Sequence, residues 1–90
     1  MVRPATPLLT VDVISEMLDQ PGGPVVLIAR KYPPYGWALP GGVGDVGERL
    51  EQAAIRDAMV ETSLDVHLVG LLGGYSDPER DESGHTVSAV

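Results

Sequence analysis

The stretch Gly41 to Leu64, GGVGDVGERLEQAAIRDAMVETSL, constrains this chain more than any other. Pro40, Gly41, Gly42, Gly44 and Gly47 punctuate its start and do not sit comfortably inside a regular element. They predict a loop whose backbone can approach a ligand closely. Glu48 then opens a run of good helix formers, ERLEQAAIRDAMVE, and predicts a helix over about 48–62 with a carboxylate in its first turn, where the dipole favours it. Asp57 and Glu61 lie four apart, one above the other, on the side that carries Leu50, Ala53 and Ala54. An apolar helix face turns inward, and two like charges there are costly unless something pairs with them. A divalent cation meets that need, and hard oxygen ligands suit Mg²⁺ or Mn²⁺. Taken alone, the pair also reads as two solvated carboxylates on a surface helix, and Arg56 as an ordinary surface arginine.

The chain has 90 residues, room for one domain over 1–90. A chain of this size buries only about 60–65% of its unfolded surface, so stability is thin. It has no cysteine, which excludes disulfides and thiolate metal sites. No apolar run approaches membrane-spanning length, and the N-terminus has no long apolar leader, so a cytoplasmic protein is the expectation. The net charge of −7 argues against a nucleic-acid surface. An acidic chain can still take a pyrophosphate when a cation screens the charges.

Along the chain, 8–17 and 25–30 read as strands joined by the turn QPGGP, a loose β-hairpin. The segment YPPYG is a proline-set turn, and Trp37 to Leu39 a short strand in which Trp37 is expected in the core. Residues 64–75 contain a third strand region, bent at glycine. A polar loop follows over 76–84, and 85–90 begins another strand. That strand has nothing after it to pair with. It must still satisfy its backbone, so the front portion of a longer domain is the simplest expectation. His67 and His85 read as ordinary strand residues. Ser76, Asp77 and His85 do not read as a catalytic triad, because no nucleophile elbow is present.

The 41–64 stretch resembles the signature of the Nudix hydrolases, G-x5-E-x7-R-E-U-x-E-E-x-G-U, where U is a bulky aliphatic residue. Gly42, Glu48, Arg56, Glu61 and Leu64 stand at the family spacing. Asp57 replaces a Glu, Val60 replaces the first Glu of the Glu-Glu pair, Ser63 replaces a Gly, and Ala58 fills an aliphatic slot. The flanking segments RKYPPYGWALPGG and YSDPERDESGH look like the ADP-ribose pyrophosphatase branch of that family. Asp81, Glu82 and Ser83 stand where that branch has Asp-Pro-Arg before the histidine, which removes a cation near an anionic substrate.

The resemblance implies an α/β fold, an α/β/α sandwich with a mixed sheet, of which the N-terminal portion is present. It implies a Mg²⁺- or Mn²⁺-dependent attack of water on the pyrophosphate of ADP-ribose or a related nucleoside diphosphate derivative. Carried over, Gly41, Asp57, Glu61 and Glu48 form the metal site. Asp57, Glu61 and Arg56 are the catalytic set, with Arg56 orienting the carboxylates. Arg30, just ahead of the loop, and Arg80 are the residues placed to meet substrate phosphates. Homodimers are common in the family, and an unpaired final strand would favour one. Val60 offers no ligand, and Asp57 is one methylene shorter than Glu. Two functions therefore stay open: a metal-dependent pyrophosphohydrolase, or a nucleotide- or partner-binding module with little turnover.

Overall fold

Alternation along T-V-D-V sets the first strand: Val11 and Val13 turn to one side, Thr10 and Asp12 to the other. The computed structural model describes residues 5–82 and 84–90. In it, β1 spans Leu8–Asp12, β2 Ile28–Ala29, β3 Trp37–Ala38, β4 Gly41–Val43, β5 Gly74–Tyr75 and β6 Thr86–Ala89. The helix α1 spans Leu50–Thr62. A four-stranded mixed sheet has the order β4-β1-β6-β5, and β2 and β3 form a separate two-stranded sheet. β1 runs antiparallel to β4 and parallel to β6, and β5 is antiparallel to β6. The fold is thus of the α/β class, with α1 the single helix among the described residues.

The core is small and lies on one face of the sheet. Val11 and Val13 pack against Ala53 and Ala54 of α1, with Leu50 and Leu68 alongside. The alanines let the helix come close. The opposite face carries Thr10, Asp12, Thr86 and Ser88, since Leu8 pairs with Thr86 and Thr10 with Ser88 in the parallel ladder. One face of the sheet is therefore apolar and covered by α1, and the other is polar.

Several expectations are corrected. The glycines do not form a loop throughout, because Gly41 to Val43 pair with β1 as an edge strand. The first strand is shorter than 8–17, and the expected hairpin with 25–30 is reduced to one antiparallel contact across the QPGGP turn. Only an isolated bridge, Glu16 to Val25, joins those segments, while β2 pairs with β3 instead. The 64–75 region yields only the two residues of β5, and exposed His67 lies outside any strand. Trp37 is 73% exposed rather than in the core, because β3 belongs to the outlying two-stranded sheet. The final strand does not lack partners: β6 lies between β1 and β5, in the interior of the sheet. The strand-based argument for a homodimer falls with it.

The helix begins two residues after Glu48. Glu48 precedes the cap, so Glu51 is the acidic residue of the first turn. The Arg49 N–H donates to Gln52 Oε1 at 2.9 Å, which satisfies one donor at the helix start. At the other end Ser63 adopts the left-handed conformation, φ 60° and ψ 19°, and donates its N–H to the Met59 carbonyl. A glycine takes this conformation freely, whereas a side chain there costs about 1–2 kcal/mol. Glycine loses more freedom on folding, which returns about 0.4–1 kcal/mol of that gain. Ser63→Gly should therefore raise stability by roughly 0.5–1 kcal/mol in urea denaturation, and Ser63→Ala should not. Equal midpoints for Ser63→Gly and the parent protein would remove the strain argument.

Candidate functional site

Gly41 and Gly42 are the point where the two faces of the sheet meet the end of α1. Asp57 is buried, 9% exposed, beneath the helix. Its Oδ1 accepts from Arg56 Nε at 3.4 Å and Nη2 at 3.3 Å. Its Oδ2 is buried and has no hydrogen-bond partner. A Cβ at Gly42 would lie 3.4 Å from that oxygen, so a larger residue would crowd it. One turn further along α1, Glu61 Oε2 accepts the Gly41 N–H at 3.3 Å. On the other face, a Cβ at Gly41 would lie 2.1 Å from the Val11 carbonyl and 2.6 Å from Asp12 Oδ1. No side chain fits there. Three carboxylates, Asp12, Asp57 and Glu61, thus surround two adjacent glycines of one edge strand.

Arg56 ties the loop to the helix. Its Nη1 donates to Asp45 at 2.6 Å and to both Glu48 oxygens at 2.8 and 2.9 Å, and its Nη2 donates to the Val43 carbonyl at 3.2 Å. Glu48 is therefore occupied by Arg56, and Glu48 Oε1 also accepts the Asp45 N–H at 3.2 Å. Val60 is 76% exposed and brings no oxygen. His85 Nε2 lies 2.8 Å from the Ser76 carbonyl, not its hydroxyl.

The carboxylates repel one another. Partial burial raises the Glu61 pKa above its ordinary value; the Gly41 N–H opposes this, and the charges of Asp57 and Asp12 add to it. Burial likewise raises Asp12, against the pull of Arg80 and with a further push from Asp57. A cation would relieve all three. Among the described residues no three His, Cys, Asp or Glu side chains stand close enough together to enclose an ion. The oxygens that could hold a cation here are the unpaired Asp57 Oδ2 and the Glu61 carboxylate, and a mostly hydrated Mg²⁺ tolerates so few protein ligands.

An open cleft of about 480 Å³ borders this cluster. Asp12, Gly41 and Glu61 line it, together with Arg30, Lys31 and Arg80. Arg30 and Arg80, the two arginines expected to meet phosphates, thus border one cleft with Glu61, and Asp57 stands behind the Gly41–Gly42 pair. Asp12 was not foreseen as a site residue. Its signal was the alternation of β1, which puts an acid on the face opposite Val11 and Val13. Asp45, the short ion-pair partner of Arg56, was also missed.

The NUDIX domain family matches residues 7–90, and the chain belongs to that family. An ADP-ribose pyrophosphatase of Methanocaldococcus jannaschii is 41% identical over 86 residues, covering 93% of this chain and 48% of the relative. The chain therefore spans about half the length of that relative. The NUDIX domain of Shewanella oneidensis NrtR, solved in complex with ADP ribose, superposes with a TM-score of 0.83 at 29% identity, covering 94% of this chain and 58% of that one. A bifunctional NMN adenylyltransferase/ADP ribose pyrophosphatase of Francisella tularensis, complexed with AMP and a Mn ion, gives 0.78 at 28% identity, covering 94% and 26%. Among the described residues no helix is long and apolar enough to cross a membrane.

The raised Glu61 pKa has a direction that can be measured. A carboxyl whose pKa in the fold exceeds its unfolded value contributes most when protonated. That contribution is full below the ordinary Glu value and is lost as pH rises through the raised one. At neutral pH the Glu61 charge therefore disfavours the fold. Glu61→Gln keeps an acceptor for Gly41 and removes the charge. In urea denaturation with a chelator present, the variant should be more stable than the parent at pH 7 and lose that advantage by about pH 4. Equal stability at pH 7 would show that the charges are already relieved.

Proposed function

We propose that this domain is the metal-binding half of a pyrophosphohydrolase acting on ADP-ribose or a related nucleoside diphosphate derivative. The observation that carries the reading is the buried, unpaired Asp57 Oδ2, held by α1 against Gly42 while Glu61 grips Gly41. A buried carboxylate oxygen without a partner is costly, and a bound cation removes that cost. The M. jannaschii relative and the ADP ribose complex support the substrate class. The Mn ion in the Francisella structure supports a divalent cofactor, Mg²⁺ or Mn²⁺.

In this reading Asp57 and Glu61 hold the cation, and Arg56 fixes the Asp57 rotamer by binding Oδ1 while it anchors the loop through Asp45 and Glu48. Arg30 and Arg80 take the phosphates at the other side of the cleft. When bound, the cation supplies charge neutralisation at the pyrophosphate and a more acidic water. Glu48, spent on Arg56, supports the site rather than ligating. Catalytic groups are Asp57 and Glu61, and we place the activity in the cytoplasm. A second reading rests on Val60: with no carboxylate at that exposed position, the domain holds its nucleotide with little turnover.

Two measurements separate these readings. Calorimetric titration of Mn²⁺ should show weak binding that falls about tenfold or more in Glu61→Gln; equal affinities would remove Glu61 as a ligand. Val60 is exposed and admits a longer side chain without crowding. Val60→Glu should raise AMP release from ADP-ribose at saturating Mg²⁺ by about 10–100-fold, the range seen when groups supporting a metal are lost. Asp57→Glu has less room beside Gly42, and the double variant should not simply add. If Val60→Glu is no faster than the parent and the parent binds ADP-ribose, the binding-module reading takes its place.

A further inference from the structure

The polar face of the sheet holds a feature that the metal-binding reading leaves unused. Thr86 and Ser88 are 5% and 2% exposed, among the most buried side chains of the molecule. They stand two apart on β6 and so share a face. Ser88 is joined to Thr10 of β1 by a hydroxyl–hydroxyl bond across the parallel ladder. Arg80 lies across this row. Its Nη2 donates to Thr86 Oγ1 at 2.7 Å and to Ser88 Oγ at 2.7 Å. Apolar residues at 86 and 88 would stabilise so small a protein more than buried hydroxyls do. The hydroxyls serve the arginine instead. A guanidinium is planar and rigid, so pinning one nitrogen at two points sets the plane of the whole fork.

We propose that Arg80, held by one edge of its guanidinium on Thr86 and Ser88 of the hydroxyl row, is the pyrophosphate subsite of the cleft, with Thr86 and Ser88 as its positioning residues. This rests on the substrate class proposed above. With both Nη2 hydrogens given to the hydroxyls, the Nε–H and the two Nη1 hydrogens of the fixed guanidinium remain to donate to phosphate oxygens. Asp12 faces the same cleft and repels any anion that arrives without a cation. The subsite therefore selects a phosphate group already charge-compensated on the Asp57–Glu61 side. The bonds to β6 also hold the exposed 76–82 segment against the sheet, so the subsite is formed before ligand arrives.

The test is the affinity of the protein for Mg²⁺-pyrophosphate and for ADP-ribose with Mg²⁺, measured by calorimetry. Arg80→Gln alters an exposed residue and should weaken both about 10–100-fold. Thr86→Val removes a hydroxyl at constant shape, and with Ser88→Ala it should weaken both about 5–10-fold. Thr86→Ser keeps the hydroxyl and should stay within about twofold of the parent, a rescue that a purely structural role would not show. Parent-like affinity in Arg80→Gln, or equal losses in Thr86→Val and Thr86→Ser, would overturn the subsite and leave the substrate reading standing. A parent that binds pyrophosphate through Arg80 but not ADP-ribose would keep the subsite and overturn the substrate reading. A parent that binds neither overturns both.

Discussion

The close approach of α1 to Gly41 and Gly42 is what the rest of the structure depends on. The missing side chain at Gly42 lets the helix lay Asp57 against that peptide, Glu61 takes the Gly41 N–H, and the missing side chain at Gly41 makes room for Val11 and Asp12 of β1. The alanines at 53, 54 and 58 make the same accommodation from the helix side, since each is buried. A bulkier pair of surfaces would hold the carboxylates away from the backbone, and the Asp57 oxygen would reach water and lose its tension. The core is small because it serves this approach: four residues and two half-buried neighbours fasten the helix to β1, and little else covers it.

The clustered charge is arranged in two layers. Arg56 neutralises the outer one, where Asp45 and Glu48 converge on its Nη1. It reaches the inner one only through Asp57 Oδ1, at 3.3 Å. Asp12 and Glu61 are left with their ionisation disfavoured, first by burial and further by the charge of Asp57. Structural ion pairing and poised chemistry are thus divided between the two oxygens of a single side chain. Asp57 belongs to the ion-paired scaffold through Oδ1, while Oδ2 lies buried behind Gly42 without a partner.

Much of this was legible in the sequence, for physical reasons that differ by element. The helix was readable because its formers are bounded by Gly47 and by Ser63 before β-branched residues, and its start and end lie within two residues of expectation. The neighbourhood of Asp57, Glu61 and Arg56 followed from helical spacing. The strand at Gly41–Val43 was not readable, because glycine opposes strand propensity and only the packing of β1 and the helix recruits it. Asp12 was hidden in a segment read as a plain strand, where alternation marks a face without telling what the face meets. The pairing of β6 with β1 was hidden because parallel pairing leaves no local turn signal. The exposure of Trp37 reflects the separation of the β2–β3 sheet, which no local pattern encodes.

The strand order has a consequence for how such a chain is made. β1 leaves a ribosome ahead of the other strands described, yet its parallel neighbour is β6, and Thr10 meets Ser88 at a separation of 78 positions. Until that neighbour emerges, β4 is the one partner β1 has among the described strands, and its hydroxyl and acidic face lacks the β6 row beside it. Long-range parallel pairing is slow because loop closure precedes any reward. The polar cleft floor therefore forms only after β6 has been made. During synthesis the helix and its carboxylates come together well before there is a surface for an anion to rest on.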